Sequence, residues 1–257
     1  SMFIVIVLNK VPRYVPALVG GGLTIVVVFL LIMKSPAAVI AVLNVGQIVR
    51  PEFWIPGHEP LESSGVNWQT IIFIGGMMVM VEGLGKVGFF RWLCLLVARM
   101  VKYRAVSILV AFILLSGFLA MFIDSITVLL FLATVTIELA RMLKFDPVPV
   151  IIAEIFASNV GGSATMSGDP PNIIIGTALG YSFMDFLKNT GLIAWVGMIA
   201  TLIFFYFVFR KGLRKSQKGI PIDPSLYPRP KEAIDDPRLF KIYIGVFLLT
   251  ILLLITH

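Results

Sequence analysis

The chain has 257 residues, of which 58% are apolar and only 14% charged, and its mean hydropathy is +0.98. Soluble domains average roughly 45–50% apolar and about 25% charged residues, so the composition excludes an ordinary soluble domain, and apolar runs that do not alternate exclude a transmembrane β-barrel. The net charge of +7 and pI near 9.6 do not point to nucleic acid, because Lys and Arg collect between the apolar runs as the positive-inside bias produces.

The fold class expected is all-α: a polytopic, multi-pass protein of the cell membrane whose first partner is the lipid bilayer. The single cysteine, Cys94, excludes an intrachain disulfide and a cysteine-rich metal site. Its surroundings, Trp92-Leu93-Cys94-Leu95-Leu96, suggest packing. Ser1 before Met2 reads as a cloning remnant. No cleavable signal peptide and no Asn-x-Ser/Thr sequon is apparent.

In chain order, residues 2–8 form a short apolar start, closed by Lys10, Pro12 and Arg13. Residues 15–33 predict a span, and residues 37–49, with Asn44 and Gln47, an interfacial or buried helix. Residues 50–67 read as a polar loop with three prolines and the pair Phe53-Trp54. An apolar run at 68–81 is interrupted at 82–88 by three glycines, Glu82 and Lys86, and resumes at 89–101, ending in the basic cluster Arg99, Lys102 and Arg104. Residues 105–123 and 128–143 flank the four-residue tip Asp124-Ser125-Ile126-Thr127. Both ends of this unit are basic, so both face the cytoplasm, and the unit is a helical hairpin, either re-entrant or fully spanning.

Phe145-Asp146-Pro147 punctuates, and an apolar helix from Val148 meets a polar run at 158–172 before apolar residues 173–178. Residues 181–188 predict a polar turn, 189–209 a span, 210–238 a long basic cytoplasmic loop, and 239–255 a last apolar run. In order these make a transmembrane unit over 1–210, with helices at 1–101 and the hairpin and broken helix at 105–210, then a linker at 211–238 and an apolar helix at 239–257.

The run at 158–172 is the main functional signal. Irregular backbone at membrane depth is tolerated only when buried in protein or lining a cavity, and broken helices build ion sites in secondary transporters. Carboxylate, hydroxyl and carbonyl oxygens suit hard cations, and half-helix ends point partial charges at a bound ion. The candidate ion- or substrate-binding residues are Asp124, Ser125 and Thr127 at the tip. Ser158, Asn159, Gly161, Gly162, Thr165, Gly168, Asp169 and Asn172 are the candidates in the break. No residue is assigned a catalytic role or a metal.

Each has a plainer reading. Asp124 belongs to an external turn if the hairpin spans, and Asp169 could cap a helix started by Pro170-Pro171. Glu82 fits an external turn, and Glu138 could pair with Arg141 at helical spacing. His58 and His257 are not credible ligands. Gly176 and Gly180 suggest close helix packing, and Met77, Met78 and Met80 suggest packing rather than a soft-metal site.

These residues resemble the N-terminal half of the ion-transporter superfamily, in its arsenical-pump, Na+/H+-antiporter and melanocyte P-protein-like branch. The resemblance rests on Asn67-Trp68-Gln69-Thr70 before Gly75-Gly76-Met77-Met78, on Phe122-Ile123-Asp124-Ser125-Ile126-Thr127, and on Ala153-Glu154. It is strongest at Ser158-Asn159-x-Gly161-Gly162-x-Ala164-Thr165-x-x-Gly168-Asp169-Pro170-Pro171-Asn172, and covers most of 67–215.

It implies a secondary transporter of two inverted repeats, a homodimer, working by an elevator-like motion without a cofactor and coupled to Na+ or H+; residues 1–210 would be the first repeat, with scaffold-like helices at 1–101 and the transport-site hairpin and broken helix at 105–210, and 239–257 the first helix of the second. The family usually has Asp-Asn at the tip, where this chain has Asp124-Ser125. A second hairpin and broken helix are not found after residue 215, so the chain is expected to be a fragment or half of an assembly. Arsenite or antimonite efflux and Na+/H+ exchange lead as activities, with dicarboxylate-like anions as further substrates. The alternatives are an intramembrane aspartyl hydrolase using Asp124 and Asp169 as a dyad, and a passive ion channel.

Overall fold

The computed structural model describes residues 12, 14–54, 65–217 and 227–256. The apolar start at 2–8, His58 and His257 lie outside the described residues. The described residues form helices and turns, with no strand among them. Among the described residues, five helices are long and apolar enough to cross a membrane: Tyr14–Ile32, Trp68–Lys86, Ser125–Leu143, Phe183–Ser216 and Pro237–Thr256. Many of their outward residues are large and apolar, among them Leu130, Leu192, Val196 and Leu249, as suits lipid-facing surfaces. The protein is a multi-pass membrane protein.

The chain divides into two compact units, residues 1–73 and 74–257. In the first, α1 (Tyr14–Thr24) continues into π-helical turns over Ile25–Ile32. Lys34 follows at positive φ, Ser35 caps α2 (Pro36–Leu43), and Asn44 ends it in the left-handed region. The Trp68 indole N–H donates to the Leu43 carbonyl at 2.7 Å, so Trp68 ties its own helix start to the end of α2.

α3 (Trp68–Lys86) runs from the first unit into the second. The expected interruption at 82–88 narrows to the turn Val87-Gly88, where Gly88 has φ +78°. Gly83 and Gly85 stay helical because each lies against an aromatic ring, Tyr243 and Phe131 respectively, where a Cβ would collide. Close ring packing offsets the roughly 1 kcal/mol that a mid-helix glycine costs. Glu82 is accordingly helical rather than in a turn, and meets Lys86 at 3.8 Å on an exposed face.

The rest of the second unit is α4 (Phe89–Met100), α5 (Ala105–Ala120), α6 (Ser125–Leu143), α7 (Val148–Gly162), α8 (Pro170–Leu179), α9 (Phe183–Ser216) and α10 (Pro237–Thr256). α5 is at its centre, packed on α6, α7 and α9. Its buried residues Ile108, Leu109, Phe112 and Ile113 are sealed from solvent. α5 and α6 are the predicted hairpin, with the turn at residues 121–124, three residues earlier than the expected 124–127, so that Ser125 and Thr127 begin α6. The backbones of α5 and α7 approach closely where the site of a Cβ on Gly161 lies 2.7 Å from the Gly117 Cα. Paired small residues are what allow such an approach.

The broken helix is also narrower than its sequence signal. α7 runs through Gly162, residues 163–169 are irregular, and Pro170 starts α8. Ser158, Asn159, Gly161 and Gly162 are therefore helical. The polar turn expected at 181–188 shrinks to Tyr181-Ser182, because Ser182 and Asp185 form a capping box that starts α9. α9 has 34 residues, which at 1.5 Å rise is about 50 Å, longer than the roughly 30 Å apolar core of a bilayer. Its basic end begins at Arg210, whose guanidinium stacks on Tyr206 and Phe207. Gly176 packs against Met166, whereas Gly180 has open space and ends α8 at φ +69°.

Glu138 does not pair with Arg141. It accepts from Arg91 of α4 at 2.7 Å, on partly exposed surface, because the α4–α6 contact brings a cation closer than helical spacing does. Exposed pairs contribute about 0.2–1 kcal/mol. Glu138→Ala is therefore expected to shift the thermal midpoint in detergent by no more than about 4 °C, read by tryptophan fluorescence.

Candidate functional site

The tip of the hairpin and the break between α7 and α8 meet at one place. Asp124 is the N-cap of α6: its Oδ2 accepts from the Thr127 N–H at 2.9 Å and the Thr127 hydroxyl at 2.8 Å. Asp169 stands at the start of α8 but makes no side-chain cap there. Its Oδ1 instead accepts from the Ser125 hydroxyl at 2.7 Å and from the Ser125 N–H at 3.4 Å. The simple capping reading of Asp169 therefore fails, whereas Asp124 does cap a helix. Two helix N-termini, both carrying the positive end of a helix dipole, bring two carboxylates together. Among the described residues, one oxygen of each carboxylate is left without a hydrogen-bond donor.

The irregular segment is held against the hairpin by its own polar groups. Thr165 and Ser167, both buried, donate to the carbonyl of Met121. The Asn172 amide donates to the carbonyls of Gly162 at 2.9 Å and Thr165 at 3.0 Å, closing the break. A Cβ on Gly168 would lie 2.7 Å from the Ala120 carbonyl oxygen, so that glycine seats the break on the end of α5. Thr165, Gly168 and Asn172 thus shape the site rather than face its opening.

Ser158 and Asn159 are placed apart. Their side chains donate back to the Ile155 carbonyl within α7, at 3.1 and 2.7 Å, with Ser158 buried and Asn159 exposed. Gly161 serves the α5 crossing. The residues brought together at the carboxylates are Asp124, Ser125, Thr127, Gly162 and Asp169.

A cavity of about 310 Å³ opens beside them, lined by Met77, Val81, Glu82, Asp124, Thr127 and Ser167 with further apolar residues. Its charged lining is acidic only. Clefts of about 520 and 700 Å³ lie at the other end of the hairpin, among Arg99, Arg229 and Lys231 and among Arg104 and Arg214. Among the described residues, no group of three or more His, Cys, Asp or Glu side chains is arranged to hold a metal.

A family model described as a citrate transporter (CitMHS) matches residues 3–257. The chain belongs to the citrate transporter family. Among the relatives of this citrate transporter family member, a 46 kDa membrane protein of Mycobacterium leprae is 32% identical over 204 residues, 79% of this chain and 46% of that protein. An uncharacterized transporter of Mycobacterium tuberculosis (strain H37Rv) is 34% identical over 139 residues, 54% of this chain and 32% of that protein. The P protein of Homo sapiens is 35% identical over 122 residues, 46% of this chain and 15% of that protein. The chain spans about half the length, or less, of these relatives.

In this citrate transporter family member Gly162 underlies Asp169. A Cβ there would meet the carboxylate, 2.8 Å from its carbon. Gly162→Ala is expected to turn the Asp169 carboxylate away and lower transport measured in proteoliposomes several-fold, without removing a charge and with little change in thermal midpoint. Uptake equal to wild type would show that the position of this carboxylate does not matter.

Sequence reasoning missed Glu154. It is fully buried in the middle of α7, accepts from the Thr136 hydroxyl at 2.6 Å, and its Oε2 has no partner. The signal was present: an acidic residue inside the apolar run from Val148 to Ala157, where ionisable groups are costly and functional by default.

Proposed function

We propose that this chain is one repeat of a secondary active transporter that moves a small, citrate-like anion with Na+ or H+. In this reading Asp124 and Asp169, with Ser125 and Thr127, hold the coupling cation. The observation that carries it is the pair of carboxylates at the adjoining N-termini of α6 and α8, beside a cavity whose charged lining is acidic only.

That lining repels a bare polycarboxylate. A bound cation cancels the repulsion, and the two helix dipoles then favour an anion at the same spot. Anion binding thus requires the cation, which is the thermodynamic basis of coupled transport. The second half of the site comes from a second repeat, of which α10 is the first helix, in a homodimer. The hairpin and the broken helix move together against the other helices in an elevator-type cycle. The family description favours a citrate-like substrate over arsenite, antimonite or simple Na+/H+ exchange.

The hydrolase reading needs two carboxylates sharing a proton and a water. Here each carboxylate takes its own hydroxyl and amide donors, from Thr127 and from Ser125, which favours two ion ligands over a dyad.

The test is flux in proteoliposomes holding the full-length protein, with citrate, succinate, arsenite and Na+/H+ exchange each measured with and without an imposed Na+ or proton gradient. Citrate accumulation that requires one of the gradients is the expected result. Arsenite movement alone, or a gradient-independent conductance far above carrier turnover, would overturn the reading in favour of an arsenite pump or a channel.

A further inference from the structure

Glu154 lies on α7 eight residues before the end of that helix at Gly162, about 12 Å along the axis at 1.5 Å rise per residue. It therefore sits between the Asp124–Asp169 pair and the basic end of the hairpin, where Arg141 and Lys144 stand. Its side chain is sealed from solvent, with a relative exposure of 0%. One oxygen accepts from Thr136 of α6, and the other has no partner.

Among the described residues no cation pairs with it; the ion pairs are Glu82–Lys86 and Arg91–Glu138. From α4 the titratable neighbour is the buried thiol of Cys94, close enough to feel the carboxylate's charge. α5 carries no titratable side chain. On α6 Glu138 is engaged with Arg91, and Arg141 is exposed. α9 turns inward its apolar residues Ala194, Met198 and Phe205, with its charged residues near its two ends.

An ionised carboxylate in this setting lacks the cation or the several donors that would offset its desolvation. A proton removes the charge and needs no further group. Sodium does not fit: it needs several oxygen ligands, and only the Glu154 carboxyl and the Thr136 hydroxyl are joined here.

We propose that Glu154 is an occluded proton-binding site, formed with Thr136 between α6 and α7, that gains and loses one proton in the transport cycle. The step is a simple protonation: a proton from water adds to one carboxylate oxygen, and returns to water when α6 and α7 part. In the closed arrangement described here the site is cut off from both sides, as an occluded step requires. A shift of α7 changes at once the exposure of Glu154 and the position of the break at its far end, because both are on one rigid helix. The link to transport, though not the proton site itself, rests on the function proposed above.

Infrared difference spectroscopy on the reconstituted protein tests the site without any substrate. The expected result is a carbonyl stretch of a protonated carboxylic acid that shifts in D2O, disappears reversibly as pH is raised, and is absent from Glu154→Gln. A band that is fixed against both pH and D2O would mark a purely structural acid and overturn the proposal. Thr136→Val provides a second reading should Glu154→Gln fail to fold: removing the hydroxyl is expected to move that band in frequency, and an unmoved band would overturn the assignment.

In flux assays Glu154→Gln is expected to abolish proton-driven citrate accumulation while keeping citrate–citrate exchange. Proton-driven accumulation equal to wild type would overturn the link to transport. Should wild-type protein move no citrate under any gradient, the transport reading fails, and the infrared titration still decides the proton site.

Discussion

Asp169→Asn is expected to lower ion-coupled uptake at least about 10-fold, since a full charge roughly 4 Å from a cation carries about 4 kcal/mol at an effective dielectric constant of 20 and 1.4 kcal/mol is tenfold. The substitution keeps an oxygen that can accept from Ser125, whose hydroxyl lies 2.7 Å from Asp169 Oδ1, so the break stays closed. It removes only the charge that offsets the cation in the site proposed above. Asp124→Asn behaves in the same way, because asparagine is as good an N-cap for α6 as aspartate. The measurement is the initial uptake rate in proteoliposomes, with the thermal midpoint as a control for folding. Wild-type flux from both variants sinks the assignment of the ion site to this pair.

Gly161→Ala produces the largest expected loss of stability. Its Cβ would press on the backbone of Gly117, 2.7 Å from both the carbonyl carbon and the Cα, and backbone cannot swing aside as a side chain can. Overpacking of this kind costs typically 1–3 kcal/mol, a fall in midpoint of about 5 °C for a unit of this size. Gly76→Ala is the contrasting case. That glycine is in α3 with nothing within 4 Å of a Cβ, so alanine is expected to leave the midpoint unchanged or raise it slightly through helix propensity. Equal effects of the two substitutions, by fluorescence-monitored melting in detergent, would contradict the α5–α7 crossing.

The membrane class, the hairpin and the broken helix were legible because each depends on local chemistry. Long apolar runs span a bilayer, Pro170-Pro171 stop and restart a helix, and basic residues gather at one end. The bounds were less legible. Glycine-rich 82–88 read as an interruption, and only the rings of Tyr243 and Phe131, contributed from α10 and α6, account for the continuation of α3 to Lys86. Ser158 and Asn159 read as part of the break, yet α7 satisfies both side chains at the Ile155 carbonyl and stays helical.

The site divides in the same way. Sequence alone determined that Asp124 and Asp169 are functional candidates, since a carboxylate at membrane depth is too costly to keep without a role. It also determined the family, through the long motif from Ser158 to Asn172. Partnership was decided only by tertiary structure. The bond from Ser125 to Asp169 joins residues 44 apart, and Glu138 chose Arg91, 47 residues away, over Arg141 three away. Glu154 stood out only once its unpartnered oxygen was seen. Residue type fixes what a side chain costs to bury, but whether that cost is met depends on which groups the packing of other helices brings within hydrogen-bond reach.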